Sequence, residues 1–392
     1  MTKINEVPFL IIGGGIGGLA AALGVARTGR PVHVLEQASE FSEVGAGLQL
    51  APNAIAVLSK FGLYDAVAQH AVFPQRLVLK DALTGKELSA LDLGDSFRER
   101  YGYPYIVMHR SDLLSVLLEA CQANDKITLL TNQEVVSVEQ LDNQARVTCS
   151  NGSVYLADAV IGADGLKSRT RKLICDDSPI SSHYVAYRGT IPVSQIDSDF
   201  GMDEVVAWIG PDLHLVQYPV RRKELYNQVV VFKSYRHKED SDDWGTPEEM
   251  DEHFAKCYPT VRRAVTYINR DRRWPMADRN PIDNWISGRV ALLGDAAHPM
   301  LQYLAQGACQ AMEDAACLSE KLASDSNVEA AFLAYQQERI DRTARVQRSA
   351  RIFGEVLHLG DDISKLLRNT ILSARTSEDY SAVDWLYGHH KK

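Results

Sequence analysis

The sequence lacks paired cysteines, clustered metal ligands and an excess of positive charge. Its six cysteines include no CxxC pair, and no His/Cys group has zinc spacing. We therefore expect free buried thiols in a reducing compartment rather than a disulfide framework or a metal site. The 42 Lys and Arg residues are outnumbered by 51 Asp and Glu residues, giving a formal net charge of -9. Binding to a phosphate backbone needs clustered cations, so these counts argue against a nucleic-acid partner.

An uninterrupted apolar span is also missing. The run from Val7 to Ala26 carries no charge, but six glycines break it and no signal-peptide cleavage site follows. It therefore predicts an apolar strand from Pro8 to Ile12 and a helix from about Ile16. We expect a cytoplasmic protein with no transmembrane segment. The 392 residues, 45% of them hydrophobic, are enough for a large core in two or three domains.

The first motif follows this strand. Gly13-x-Gly15-x-x-Gly18 opens the helix, and the next predicted strand, 31–35, ends on Glu36. Glycine permits a tight turn and lets backbone amides approach a pyrophosphate, while the acid accepts hydrogen bonds from ribose hydroxyls. This arrangement predicts a dinucleotide site and leaves FAD and NAD as alternatives.

Two later segments also place glycine and aspartate directly after an apolar run. Asp164-Gly165 follows the apolar run 157–161, and Gly294-Asp295 follows the run 290–293. Taken alone, the Asp-Gly step indicates only a turn. An aspartate at the end of a buried strand is placed to accept hydrogen bonds from a polyol chain, and a helical pattern follows it from about Gly307.

In this order and at these separations, the three segments resemble the class A flavoprotein monooxygenases over nearly the whole chain. The resemblance implies that the first motif holds the ADP half of FAD. It places Asp-Gly near the pyrophosphate and the incoming nicotinamide cofactor, and Gly-Asp at the ribityl chain. His109-Arg110-Ser111 and the segment 45–49 match flavin-contacting positions. The implied cofactor residues are Gly13, Gly15, Gly18, Glu36, Gly47, Arg110, Asp164, Gly165, Gly294, Asp295 and Gly307.

The resemblance also implies the fold and its division into domains. The fold is α/β, with a Rossmann-like FAD-binding domain, an inserted mixed β-sheet substrate domain and C-terminal helices. Within the insert, 205–209, 214–218 and 228–232 read as antiparallel strands, and 327–358 reads as a long amphipathic helix for packing or dimerisation. The expected FAD-binding pieces are 1–75, 100–180 and 285–325; the substrate domain is 76–99 and 181–284; the helical region is 326–392.

Candidate substrate residues come from two strand-like runs. Period-two alternation puts His214, Val216 and Tyr218 on one face, and the run 103–107 aligns Tyr103, Tyr105 and Val107 in the same way. These histidine and tyrosine side chains are largely apolar and end in a hydrogen-bonding group, which suits a flat aromatic acid. Any one such residue is nevertheless more often an ordinary core residue. Their placement beside the flavin comes from the resemblance.

The segment 298–307 indicates which subgroup of the family the chain resembles. Gln302 stands where many relatives of the salicylate hydroxylase type carry proline. A proline side chain forms no hydrogen bonds, whereas the glutamine side chain can both donate and accept them. The 3-hydroxybenzoate 6-hydroxylases share this glutamine, the run 301–305, Trp274-Pro275-Met276 and the run 384–388. The likeness implies conversion of 3-hydroxybenzoate to 2,5-dihydroxybenzoate (gentisate), with NADH or NADPH and O₂ as co-substrates and a C4a-hydroperoxyflavin as oxidant. A homodimer is the usual form in this family.

The expected catalytic roles follow from the chemistry of the phenol. Supplying a phenolate near neutral pH costs about 4 kcal/mol, because a free phenol has a pKa of about 10. His214 is the expected base, Gln302 its partner at the phenol oxygen, and Tyr218 and Tyr105 orient the ring or receive the carboxylate. The alternatives are a decarboxylative salicylate or 6-hydroxynicotinate hydroxylase, an FAD-dependent oxidoreductase that does not use O₂, and a non-catalytic nucleotide-binding module.

Overall fold

Two large β-sheets organise the computed structural model, which describes residues 4–42, 45–238, 241 and 243–391. The strands are β1 (Ile4–Ile12), β2 (Val32–Leu35), β3 (Gly47–Leu50), β4 (Arg76–Asp81), β5 (Glu87–Asp92), β6 (Ile106–His109), β7 (Ile127–Leu130), β8 (Val135–Gln140), β9 (Ala145–Cys149), β10 (Val154–Gly162), β11 (Ile180–Pro192), β12 (Glu204–Gly210), β13 (Leu213–Val220), β14 (Leu225–Lys233), β15 (Trp274–Asp278), β16 (Ile286–Ser287) and β17 (Val290–Leu292). The α-helices are α1 (Ile16–Arg27), α2 (Pro52–Lys60), α3 (Tyr64–Ala68), α4 (Asp95–Tyr101), α5 (Arg110–Gln122), α6 (Pro247–Phe254), α7 (Pro259–Thr266), α8 (Gly307–Ser324), α9 (Val328–Leu357), α10 (Asp362–Ser373) and α11 (Asp384–Tyr387).

The first sheet runs in the order β16-β17-β10-β1-β2-β7, with β8 and β9 attached at β10. β1 pairs in parallel with both β10 and β2, and its end is buried on both faces: Phe9 and Ile11 share a core with α1, whereas Leu10 and Ile12 share one with β8 and β9. Between β1 and β2 the chain forms α1, which packs against α5 and α8. A Cβ on Gly24 would lie 2.9 Å from the carbonyl oxygen of Ala315, so this glycine allows α1 and α8 to approach closely. The Rossmann-like part of the predicted fold is confirmed.

The second sheet runs in the order β15-β11-β14-β13-β12-β4-β5. The sheet is mixed, because β12 pairs in parallel with β4 while all other neighbouring strands of this sheet pair antiparallel. One face packs under α6 and α7, where Leu213 and Leu215 share a core with Phe254 and Val261. The alternate residues of β13 therefore point to the opposite face, toward the first sheet. This inserted mixed sheet is the second part of the predicted fold.

The predicted strand over 103–107 is wrong in its position. β6 begins only at Ile106, so Tyr103 and Tyr105 lie in the connection that precedes it. Gly102 ends α4 with a φ of 77°, and Pro104 has no amide hydrogen for a ladder, so pairing with β3 starts later. Tyr105 is still buried, whereas the ring of Tyr103 contacts that of His390 at 5.4 Å between centroids.

The C-terminal helices contact both sheets. α9 matches the helix predicted over 327–358, and the Asn327 side chain caps it by accepting hydrogen bonds from the amides of Glu329 (3.0 Å) and Ala330 (3.2 Å). α9 packs on α8, and α10 contacts β5 of the second sheet. Across the described ranges, no helix combines the length and apolarity needed to cross a membrane.

Candidate active site

One cavity of about 710 Å³ extends from the first sheet to the second. It reaches all three sequence motifs and the cavity face of β13. Gly18 does not line it. The predicted site residues that do are Gly13, Gly15, Glu36, Gly47, Tyr105, Arg110, Asp164, Gly165, His214, Tyr218, Gly294, Asp295, Gln302 and Gly307.

The first motif forms the turn between β1 and α1. Gly13 has a φ of 106°, and a Cβ there would lie 2.4 Å from the Ala163 carbonyl oxygen, so the first two motifs touch. A Cβ on Gly18 would lie 1.9 Å from the Gly13 oxygen, which explains this glycine by helix–strand packing. Gly15 opens into the cavity as the N-cap of α1, which has no side-chain cap and no acid in its first turn. Such a helix end favours an anion.

Glu36 is fixed at the end of β2. Its carboxylate accepts hydrogen bonds from the amides of Gly14 (2.9 Å) and Ala38 (2.8 Å). The acid therefore lies on the cavity wall beside the glycine turn, at the position where a ribose would meet it.

Asp164 holds its own loop together. Its carboxylate accepts hydrogen bonds from the Ser168 hydroxyl (2.6 Å) and from the amides of Arg169 (2.8 Å) and Thr170 (3.0 Å). Gly165, at a φ of 75°, has open space where a Cβ would stand. The structure thus gives Asp164 a loop-shaping role at the cavity wall.

The third motif lies where β17 meets α8. The Gly294 amide donates to the Asp314 carboxylate (3.0 Å), and α8 begins at Gly307 without a side-chain cap or an acid in its first turn. Gln306, beside it, is buried and accepts hydrogen bonds from Asn53 (3.0 Å) and Gln310 (2.9 Å). Its side-chain amide nitrogen is a buried donor without a partner among the residues that the structure describes.

A buried ion network under this motif was not predicted. Asp314 accepts from His298 (2.5 Å) and Arg339 (2.7 Å), and Glu313 accepts from Arg342 (2.6 Å) and from Arg339. Burial alone would raise the pKa of Glu313, but the two arginines outweigh it and hold that pKa well below its usual range. The sequence signal was an acidic pair inside an otherwise small and apolar stretch of helix, 311–318.

His214 lies at the far end of the cavity. It is 3% exposed, and its Nδ1 lies 2.8 Å from Nε2 of His358, a residue that sequence reasoning missed. Burial, and then His358, hold the pKa of His214 well below its ordinary value, so the imidazole is neutral near pH 7. Its remaining ring nitrogen, Nε2, is available on the cavity side.

Two tyrosines stand between His214 and the flavin-side motifs. The Tyr218 ring packs against Gly47, where a Cβ would lie 2.6 Å from it. The Gly47 amide donates to Asn227 of β14 (2.6 Å), which joins β3 to the second sheet. The Tyr105 hydroxyl donates to the Gln49 side-chain oxygen at 2.7 Å. Burial raises the pKa of both tyrosines, so both stay protonated, the Tyr105 hydrogen being held by Gln49.

Gln302 opens a short 3₁₀ turn over 302–304. Its side chain is exposed and lines the cavity that His214 also lines. The next residue, Tyr303, meets the His214 ring edge-on, with 5.6 Å between centroids. Ala305 ends the turn at a φ of 51° and leads into α8.

Sequence reasoning also missed a cation and several C-terminal residues in the cavity wall. Arg188 of β11 lies over the Trp274 ring at 4.5 Å, and its charge acts to lower the pKa of Tyr218 against the larger effect of burial. No local motif marked this arginine, because register across β13, β14 and β11 brings it to the site. The C-terminal residues that line the cavity are Phe353, Leu357, Leu372, Arg375, Ala382, Val383, Leu386 and Tyr387.

The residues at the motif end fit FAD. Two uncapped helix N-termini, at Gly15 and Gly307, suit a diphosphate, and Glu36 suits a ribose. The orphaned amide donor of Gln306 lies beside the second of these termini. No group of His, Cys, Asp and Glu suited to a metal ion occurs within the described part of the chain.

Comparison with known proteins agrees with this geometry. Residues 6–350 match the FAD binding domain family. The chain is 40% identical to 3-hydroxybenzoate 6-hydroxylase of Polaromonas naphthalenivorans, covering 98% of this chain and 96% of the relative. It is 39% identical to the enzyme of that name from Klebsiella oxytoca, covering 99% and 98%.

Among solved structures, Klebsiella pneumoniae HpxO complexed with FAD and uric acid shares the fold. The TM-score is 0.85 at 24% identity, covering 97% of this chain and 96% of that one. Together with the family match, these similarities show that the chain belongs to the FAD-dependent aromatic hydroxylases, the class A flavoprotein monooxygenases.

Proposed function

We propose that this monooxygenase converts 3-hydroxybenzoate to 2,5-dihydroxybenzoate, adding oxygen to the ring carbon para to the substrate hydroxyl. The observation that carries the proposal is the neutral, buried imidazole of His214 in the same cavity as the three flavin motifs, with Gln302 also in the cavity wall. The full-length relatives that bear the name of this activity support it. Bound FAD would supply the activation of O₂, and NADH or NADPH is the proposed reductant.

The proposed roles begin with the phenol. Near pH 7 the phenolate is about 4 kcal/mol uphill for a phenol of pKa about 10. Nε2 of His214 accepts the phenol proton, and the Gln302 amide donates to the oxygen as charge develops there. The ring thereby gains electron density at its para carbon, where oxygen is added.

The carboxylate would be held at the other end of the ring. Tyr218 remains protonated and can donate to it, Tyr105 would orient the ring, and Arg188 supplies the cationic charge that an aromatic acid requires. The acidic cavity residues Glu36, Asp164 and Asp295 belong to the motif segments at the flavin end. This separation of charge favours an anionic substrate beside Arg188.

The proposal is tested by product analysis over a panel of hydroxybenzoates. With 3-hydroxybenzoate, NADH and air, we expect 2,5-dihydroxybenzoate without CO₂ release, in amounts that match the NADH consumed. Salicylate and 6-hydroxynicotinate should be poor substrates. Faster turnover of either acid with release of CO₂ would support the decarboxylative alternative and overturn the proposal. A homodimer and a cytoplasmic location remain predictions.

A further inference from the structure

His358 stands behind His214, away from the flavin motifs. It follows the last residue of α9, and its side chain is 5% exposed. The two imidazoles share one hydrogen bond, between His214 Nδ1 and His358 Nε2, at 2.8 Å. Tyr184 stacks on the other side of His358, with 4.6 Å between ring centroids.

The backbone also fixes His358. Its amide donates to the carbonyl oxygens of Gly354 and Glu355 (3.2 Å each), and its own carbonyl accepts the amide of Asp212 (3.1 Å), in the turn just before β13. The end of α9 is thus tied to the strand that carries His214. Such a position holds an imidazole in one orientation.

A hydrogen bond between two neutral imidazoles has two possible directions. If His358 donated, Nδ1 of His214 would be the acceptor, and its Nε2 would carry the hydrogen and could take no further proton. If His214 donates from Nδ1, its Nε2 keeps a free lone pair on the cavity side. Only the second arrangement lets His214 accept a phenol proton.

We propose that His358 is a positioning residue that accepts the Nδ1 hydrogen of His214 and thereby keeps His214 Nε2 unprotonated toward the substrate. The inference rests on the proposed function of His214 as the base. When the phenol proton moves to Nε2, His214 becomes an imidazolium whose Nδ1–H still donates to a neutral His358. The phenolate stays in the cavity and no further proton acceptor is needed.

The charges around His358 suit this acceptor role. Burial, and then the cations Arg368 and Lys233, lower the pKa of His358 to about 3. Tyr184 and Tyr303 also face the pair, and Asp212 lies beyond Tyr184, whose hydroxyl donates to it at 3.1 Å. His358 therefore remains neutral over the working pH range, and its Nε2 can accept a hydrogen bond in the tautomer that carries hydrogen on Nδ1.

The test compares His358→Leu, which removes the acceptor, with His358→Gln, whose side-chain oxygen can accept. The exposed His70→Leu serves as a matched control. Bound to the FAD-loaded enzyme, 3-hydroxybenzoate is titrated by ultraviolet difference spectroscopy to give the pKa of its hydroxyl. We expect about a tenfold lower phenolate fraction at pH 7.5, and about a tenfold lower kcat with little change in KM, in His358→Leu. His358→Gln should recover part of both, and His70→Leu should match wild type.

The outcomes separate this inference from the proposed function. If His214→Ala shifts the bound phenol pKa but His358→Leu leaves it and kcat unchanged, His358 has no positioning role. Equal losses in the folded Leu and Gln variants would also contradict the proposal, because they would indicate packing rather than acceptance of the hydrogen. If wild type does not turn over 3-hydroxybenzoate, the proposed function fails instead. If His358→Leu does not fold, His358→Gln alone provides the test. A lower kcat in that variant, with the pKa of the bound phenol unchanged from wild type, would contradict the inference.

Discussion

At the scale of single residues, the proposed function depends most directly on ionisation of the substrate hydroxyl. His214 is kept neutral by burial and lines the same cavity as Tyr105 and Tyr218, the residues proposed to orient the ring or bind its carboxylate. A positioned general base contributes about 10²- to 10⁴-fold to a rate. A phenolate beside His214 would favour the imidazolium and so raise the pKa that burial lowers.

Replacing His214 by alanine should lower kcat for 3-hydroxybenzoate by at least about a hundredfold at pH 7. Between pH 7 and 9 the variant should recover about tenfold per pH unit, because the solution then supplies the phenolate that His214 no longer forms. Steady-state kinetics across this pH range check both effects. Wild-type turnover in the variant at pH 7 would remove His214 from its role as base.

Replacing Arg188 by methionine tests recognition of the carboxylate. We expect KM for 3-hydroxybenzoate to rise by about 10- to 100-fold, the loss typical of a hydrogen bond to a charged group, with a smaller change in kcat. Arg188→Lys should be intermediate, because a point charge replaces a planar fork. If KM is unchanged in Arg188→Met, another group binds the carboxylate.

The site residues that were predicted from the sequence differ in kind from those that were not. Gly13, Gly15 and Glu36 belong to a local pattern whose spacing is itself the signal. Arg188 comes to the cavity through sheet register, and His358 comes to His214 at the far end of a helix 30 residues long. Long-range placement of this kind leaves no trace in local spacing.

At the scale of elements, the buried network between α8 and α9 supports the third motif. Glu313, Asp314 and Arg339 lie almost entirely out of solvent, and Asp314 also accepts the amide of Gly294. Removing one partner of such a network leaves a buried charge uncompensated, at a cost of about 3 to 5 kcal/mol.

Arg339→Met should therefore lower the free energy of unfolding by about 3 to 5 kcal/mol and weaken FAD binding. Lys321→Met breaks the more exposed pair with Glu338 between the same two helices, and should cost less than about 1 kcal/mol. Urea unfolding and FAD titration of both variants make the comparison. Equal losses in the two would contradict the proposed role of the buried network.

Element boundaries were predictable where one physical signal dominated. The end of the strand before Gly13 and the helix over 327–358 were predicted from apolar patterns, although that strand begins at Ile4 rather than at the predicted Pro8. The strand over 103–107 failed because Gly102 and Pro104 delay pairing with β3. The closing of the cavity by α10 and α11 was not predicted, since helical periodicity does not say what a helix covers.

At the scale of the whole molecule, stability should depend on pH through the buried histidines. The pKa values of His214 and His358 lie below 6.5 in the folded protein, whereas the unfolded chain titrates near 6.5. The unfolded state therefore gains protons first as the pH falls. The stabilisation is complete above about pH 6.5 and is lost progressively below it.

Thermal unfolding should accordingly show a lower melting temperature at pH 5.5 than at pH 7.5. The drop should be smaller in His358→Leu, which has one such histidine fewer, than in wild type or His70→Leu. Calorimetry at the two pH values measures this. An identical drop in all three proteins would assign the pH dependence to other groups.

The central claim is that the flavin motifs and His214 form one site, in which oxygen from O₂ enters the ring of 3-hydroxybenzoate. The most direct measurement is the mass spectrum of the product formed under ¹⁸O₂ with NADH. We predict 2,5-dihydroxybenzoate carrying one ¹⁸O atom. Unlabelled product, or equally fast NADH oxidation with this substrate when air is excluded, would contradict the account.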